Sequence, residues 1–192
     1  MNKAIFKRIG IIKLLFILFS FSPGFYTAQA IQTKSIIYSV EHGLSQSTVN
    51  SILQDDYGQI WLGTRNGLNL FNGYDFEVFL HSPSDDNSII NNEITRLYKL
   101  DSSNILVGTR DGICRLNILT KESYSYDYKS LGYTEFVVND IFKDNNNRLW
   151  VAAREGIFIY DETTDNFIAY DNVNAPTGSV YEIAQNEDNE LW

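Results

Sequence analysis

Arg65, Arg110 and Arg154 fall at intervals of 44 to 45 residues, each followed by Asn, Asp or Glu and then glycine. A guanidinium presents a planar fork of donors that suits a carboxylate or another oxyanion. Three on one face could line the entrance to a channel and grip an anionic group. The competing expectation is that each arginine pairs with an acidic neighbour and holds its own turn. Recurrence in every copy favours the second, because a ligand site on a ring seldom uses every repeat equally. Tyr124, Tyr126, Tyr128 and Tyr133 could stack on sugar faces, but the period-two alternation of the first three fits one face of an outer strand better.

No catalytic constellation emerges. His42 and His81 are the two histidines, far apart and without zinc-ligand spacing or a neighbouring nucleophile motif. Asp144-Asn145-Asn146-Asn147 has the residue types of a calcium loop but lacks its sixth-position glycine and its later glutamate, so a turn is expected. Cys114 has no partner for a disulfide and is expected to be a small buried hydrophobe. No cofactor, no metal and no enzymatic activity are expected of this segment.

The elements that position these residues follow from a repeated phrase at residues 49–61, 94–106, 138–150 and 180–192, with a period of 42 to 45 residues. Periods of that length signal solenoids or propellers. Within the first copy, residues 49–54, 59–64, 68–71 and 76–80 read as four short strands, joined by turns whose Asx-Gly pairs supply positive φ. Val49, Ile52 and Leu53 also have helical spacing, but six residues before an Asp-rich turn are too few for a stable helix. Ile60-Trp61-Leu62 and Leu149-Trp150-Val151 are apolar on successive residues, so both faces of those strands must be covered. Trp61, Trp150 and Trp192 are therefore expected to pack between blades.

The expected fold is an all-β propeller with about three complete four-stranded blades and the start of a fourth, an N-terminal part of a larger propeller. The repeats lie near residues 41–80, 91–128, 135–171 and 179–192. Residues 36–40 have strand composition and, in a closed ring, could supply the outer strand of the last blade. With both ends of the array open, the segment is expected to be marginally stable or prone to aggregate. In an up-and-down blade the turn between strands two and three shares a face with the connection between blades. One face should thus carry Arg65, Arg110, Arg154 and the loops at residues 81–93, 129–136 and 172–179, and long loops on a rigid scaffold are where binding residues concentrate.

The chain has 192 residues, 44% hydrophobic and 14% aromatic, enough for a packed core. Lys3, Lys7, Arg8 and Lys13, an apolar run at residues 14–21 and Ala28-Gln29-Ala30 mark residues 1–30 as a secretory signal, the rest being propeller. The apolar run is shorter than the roughly 20 residues that span a bilayer. Losing four cations and no acid takes the formal charge from −9 to −13, which argues against nucleic-acid binding.

Gly43-Leu44-Ser45-Gln46-Ser47-Thr48-Val49-Asn50, then Asp56-Tyr57-Gly58-Gln59-Ile60-Trp61-Leu62-Gly63-Thr64, then Asn66-Gly67-Leu68 resemble the two-component regulator propeller repeat. That repeat builds the extracytoplasmic sensor region of hybrid two-component proteins. The likeness covers residues 35–192 and weakens where Leu106 replaces tryptophan and Ala152-Ala153 replaces Gly-Thr. It implies a larger parent with two seven-bladed propellers, a β-sandwich, a membrane-spanning helix and cytoplasmic histidine kinase, receiver and often DNA-binding domains. It further implies a periplasmic, inner-membrane-anchored receptor whose ligand is an oligosaccharide. The expected partners are that saccharide, the remaining blades and a second copy of the receptor.

Two other readings compete. Asp56-x-Gly58-x-x-Trp61 resembles part of the Asp-box of sialidase-type propellers, which points to an exported glycan-processing enzyme, although Gln54 stands where Ser or Thr is required. A noncatalytic propeller scaffold at the cell surface is the other. A spanning helix and kinase module downstream would select the sensor, and a paired-carboxylate or Tyr-Glu site the enzyme.

Overall fold

The structure is a computed structural model, and it describes residues 35–173, 175–176 and 178–192. The expected secretory signal at residues 1–30 lies outside the described residues. Three antiparallel four-stranded sheets follow one another along the chain. The first holds β1 (Val49–Gln54), β2 (Ile60–Thr64), β3 (Gly67–Phe71) and β4 (Phe76–Phe79) in sequence order. The second holds β5 (Ile94–Lys99), β6 (Asn104–Thr109), β7 (Gly112–Asn117) and β8 (Ser123–Ser125). The third holds β9 (Val138–Lys143), β10 (Leu149–Ala153), β11 (Gly156–Asp161) and β12 (Asn166–Ala169). A Gln185–Leu191 bridge begins a fourth. The fold is the expected all-β propeller, and the Val49–Gln54 segment is a strand.

Side chains close the turns at equivalent positions. Between strands one and two, Asp55 Oδ1 accepts the N–H groups of Tyr57 and Gln59, and Asp144 Oδ1 those of Asn146 and Arg148. Asp101 does the same for Ser103 and Asn104. Asp144-Asn145-Asn146-Asn147 is thus the expected turn. Between strands two and three, Thr64 and Thr109 each donate to the carbonyl of the glycine three residues on, Gly67 and Gly112. Those glycines have φ of 113° and 115°, a region that costs other residues strain.

Each hydrophobic cluster straddles a boundary between blades. Trp61, Leu68 and Leu70 meet Ile94, Leu97, Ile105 and Leu116 across the first. Leu106, Ile113, Tyr126 and Tyr128 meet Phe136, Val138, Val151 and Phe158 across the second. Trp150 and Ala152 meet Ile183 at the third. A blade that buries its faces only against neighbours depends on stacking for stability, as repeat arrays do. Trp61 and Trp150 are 0% and 1% exposed, as expected of inter-blade packing, and Cys114 is a fully buried member of the first cluster. Burial pushes the Cys114 thiol above its ordinary value.

One sequence expectation is corrected. Trp192 is 77% exposed, with no further blade packed over it among the described residues. Residues 36–40, expected to supply the outer strand of the last blade only in a closed ring, are not in a strand among the described residues. Ile37 is 80% exposed, and Tyr38 instead lays its ring against Phe71 at 4.6 Å.

The first strands of successive blades run side by side and exchange polar contacts. Asn50 donates to the carbonyl of Ile94, and Asn139 to that of Val180, both at 2.7 Å. Ser51 Oγ accepts Leu97 N–H, and Arg96 pairs with Asp140, whose other oxygen accepts Ile183 N–H. Thr95 occupies the place of Asn50 and Asn139, and its hydroxyl is buried without a partner among the described residues. Thr95→Asn should restore the bridge, to the carbonyl of Val138, and raise stability by about 0.5–1.5 kcal/mol. Thermal unfolding checks this, with Thr95→Val as the near-neutral control.

Candidate functional site

The face expected to carry the arginines is assembled as the topology requires. Each turn between strands two and three is clasped by the connections between blades. Arg110 N–H donates to Glu93 O and Arg154 N–H to Val137 O, each within its own blade. Gly67 N–H donates to Asn92 O and Gly112 N–H to Phe136 O, both at 2.7 Å, tying each turn to the next blade. At the last junction Val180 N–H bonds Ala153 O, and Ser179 Oγ donates to Arg154 O. The loops are therefore fixed to the sheets by backbone hydrogen bonds.

The three arginines then differ. Arg110 pairs with Glu93 at 3.5 Å and Arg154 with Glu135 at 3.3 Å. Arg65 makes no ion pair among the described residues, since Thr48 precedes β1 where Glu93 precedes β5. The acidic or amide residue after each arginine is also distinct. Asp111 accepts the phenolic hydrogen of Tyr128 at 2.6 Å, Glu155 accepts Val137 N–H, and Asn66 is exposed. Arg154 lines a cleft of about 410 Å3 with Tyr133, Thr134, Glu135 and Ser179. Exposed pairs of this kind contribute little to stability, on the order of 0–1 kcal/mol.

The tyrosines do not form a stacking platform. β8 ends at Ser125, and the chain then turns inward, so Tyr126 and Tyr128 are 3% and 6% exposed within the inter-blade core. The period-two alternation therefore does not mark one face of a continuous outer strand. Tyr133 packs its ring against Phe158 at 5.4 Å. Tyr124 stays half exposed, with the Arg115 guanidinium 5.3 Å over its ring. Burial raises the phenols of Tyr126 and Tyr128 well above their ordinary value, and the Asp111 carboxylate adds to it at Tyr128. Tyr160 is pushed up to about 12 by burial and then by its hydrogen bond to Asp165.

The neighbouring cleft, about 510 Å3, lies between the loop at residues 81–88 and β8. His81 Nδ1 is 2.8 Å from Ile89 O, so that nitrogen carries a hydrogen and donates it. Asp85, Asp86, Asn87 and Tyr124 are also in the lining. Among the described residues no group of three or more His, Cys, Asp or Glu side chains is placed to hold a metal.

One structural device escaped the sequence reading. Trp61 Nε1 donates to Asp55 Oδ2 and Trp150 Nε1 to Asp144 Oδ2, both at 2.9 Å. One buried carboxylate thereby closes the turn and satisfies the indole of the strand that follows. The signal was present as an aspartate six residues before Trp61 and before Trp150. Asp56, the residue that suggested an Asp-box, is instead half exposed and pairs with Lys99 of the next blade.

Burial opposes the charged form of Asp144, but hydrogen bonds from Trp150 and from the Arg148 backbone and guanidinium outweigh it and hold the carboxyl below its ordinary value. The folded value is depressed, so the stabilisation is complete above the ordinary carboxylate range, about 4, and is lost as pH falls through the lower folded value. Unfolding followed from neutral to strongly acidic pH should show a shallower acid loss in Asp144→Asn than in the parent chain, beside a lower stability at neutral pH.

Comparison with known proteins places this arrangement. Residues 43–66 match the family described as Two component regulator propeller. Over 83 residues the chain is 41% identical to histidine kinase P4 of Formosa agariphila, covering 43% of this chain and 6% of that protein. The extracellular domain of a hybrid two-component system from B. thetaiotaomicron superposes with a TM-score of 0.70 at 27% identity, covering 81% of this chain and 23% of that one. Virginiamycin B lyase from Staphylococcus aureus superposes at 0.53 with 16% identity over 75% of this chain and 47% of its own, a likeness of fold alone. The chain thus spans a small part of the histidine kinase and under a quarter of the extracellular domain. No helix among the described residues is long and apolar enough to cross a membrane.

Proposed function

We propose that this chain, whose residues 43–66 are a two-component regulator propeller repeat, is the start of the ligand-sensing propeller of a hybrid two-component receptor, exported to the periplasm, that detects an oligosaccharide. The observation that carries the reading is that likeness to the extracellular domain of a hybrid two-component system extends over 81% of the chain, well beyond the single matched repeat. The clasped loop face supports it too, since a receptor needs recognition loops that hold their shape. Kinase activity belongs in this reading to parts of the parent protein beyond these blades.

On that face the arginines divide their tasks. Arg110 and Arg154 hold loops through Glu93 and Glu135, and each could still turn a guanidinium to an acidic sugar only by giving up its carboxylate. Arg65, without an acidic partner among the described residues, is the guanidinium best placed to meet an anionic group of the ligand. A ligand shifts a receptor only by binding one arrangement more tightly than another, so these contacts must differ between the two states.

Deletion of the gene tests the reading. Transcription of glycan-use genes should stop responding to one saccharide. A response unchanged for every saccharide overturns it.

A further inference from the structure

We infer that Asn72 is a site of spontaneous deamidation, a covalent modification that adds a negative charge to the β3–β4 hairpin. The chain contains two Asn-Gly pairs, Asn66-Gly67 and Asn72-Gly73. Glycine has no side chain to shield its own nitrogen, so both pairs have the reactive sequence. The fold treats them differently.

Gly67 is buried, and its N–H is tied to Asn92 O at 2.7 Å in the clasp between the first two blades. Leu80 and the Phe79 carbonyl crowd it at 2.7 and 3.0 Å from where a Cβ would stand. Its nitrogen can attack only after that clasp opens. Gly73 is exposed, has no atom beyond its own two chain neighbours within 4 Å of the same position, and its N–H makes no hydrogen bond among the described residues.

The asparagine side chains differ as well. Asn72 Oδ1 accepts the N–H groups of Tyr74 at 2.9 Å and Asp75 at 3.0 Å. Those two donors polarise the amide and meet the charge that gathers on its oxygen during attack, the same physics as an oxyanion hole. The hydrogen bond of Asn66 is made by its backbone N–H, to Thr64 Oγ1.

In the reaction the Gly73 nitrogen attacks Asn72 Cγ and a C–N bond forms. The side-chain nitrogen leaves as ammonia, taking the proton that Gly73 loses, and a five-membered succinimide remains. Water is the only co-reactant of the second step. Opening at the side-chain carbonyl gives aspartate, and opening at the main-chain carbonyl gives isoaspartate, with no net oxidation. Aspartate can keep the turn, since a carboxylate accepts the same two N–H groups. Isoaspartate adds a methylene to the main chain beside the Phe71–Phe76 pair that begins the β3–β4 ladder.

Peptide mapping by mass spectrometry, with an isoaspartate-specific readout, tests the assignment on the exported chain held in mildly alkaline buffer. Asn72 should react at least about tenfold faster than Asn66 in the folded chain, equivalent to about 1.4 kcal/mol for opening the Gly67 clasp. In denaturant the two rates should converge. Equal rates in the folded chain, or faster reaction at Asn66, overturn the inference. A tenfold difference that persists in denaturant also overturns it, by removing the fold as its cause.

Discussion

Trp61→Ala should lower the stability of the chain by about 3–5 kcal/mol, the range for truncating a large buried aromatic side chain. The indole is fully buried between the first two blades, 5.7 Å from the Phe79 ring, with the Lys121 ammonium 4.8 Å over it. Its loss removes packing on both sides of the boundary and leaves one oxygen of buried Asp55 without its donor. Asp55→Ala should cost less than the tryptophan but at least about 1–3 kcal/mol, since the buried indole N–H and two turn N–H groups lose their acceptor. The double variant should fall short of the sum, because both changes break the same contact. Trp192→Ala is the internal control. At 77% exposure it should change stability by no more than a few tenths of a kcal/mol. Urea unfolding measures all four, and near-equal losses for Trp61→Ala and Trp192→Ala would contradict inter-blade packing at Trp61.

Gly108→Val should be comparably damaging, by overpacking instead of cavity formation. A Cβ at Gly108 would stand 2.5 Å from Val138 Cγ1 and 3.0 Å from its Cβ, across the boundary between the second and third blades. Val138 is fully buried and β-branched, with little rotamer freedom to yield. Overpacking of this kind costs about 1–3 kcal/mol, and a valine at this spacing belongs at the upper end. The backbone of Gly108 lies outside the positive-φ region, so the expected cost is the clash and not strain. Val138→Ala in the same chain should therefore recover part of the loss. If Gly108→Val were tolerated alone, or if Val138→Ala made it worse, the two first-neighbour blades would not approach as closely as described. Gly63 and Ile94 repeat the geometry one boundary earlier, also at 2.5 Å.

Much of this arrangement was legible in the sequence because it depends on local signals. Asn66-Gly67 and Asp111-Gly112 announced hairpin turns, since positive φ there needs glycine. The apolar run around Trp61 announced a strand covered on both faces, and the four-fold phrase announced stacked blades. The shared face of the arginines followed from strand alternation alone.

What escaped depended on which atom meets which. Asp55 and Asp56 are adjacent carboxylates of one type, and only the backbone path of the turn decides that Asp55 turns inward to Trp61 while Asp56 reaches Lys99. The tyrosine alternation misled because β8 stops at Ser125, after which Tyr126 and Tyr128 follow a loop into the core. Residues 36–40 have strand composition, and composition does not report which sheet edge supplies a partner. The difference among the arginines was readable in part. Glu93 immediately precedes β5 and Thr48 immediately precedes β1, yet the pairing partner of Arg154 comes from a different offset, Glu135.

Calorimetric titration of the complete receptor ectodomain with a panel of oligosaccharides is the most direct test of the sensor reading. Saturable binding of at least one saccharide at millimolar concentration or below is the predicted result, weakened by Arg65→Ala where that saccharide is acidic. Absence of heat for every saccharide at millimolar concentration would contradict it.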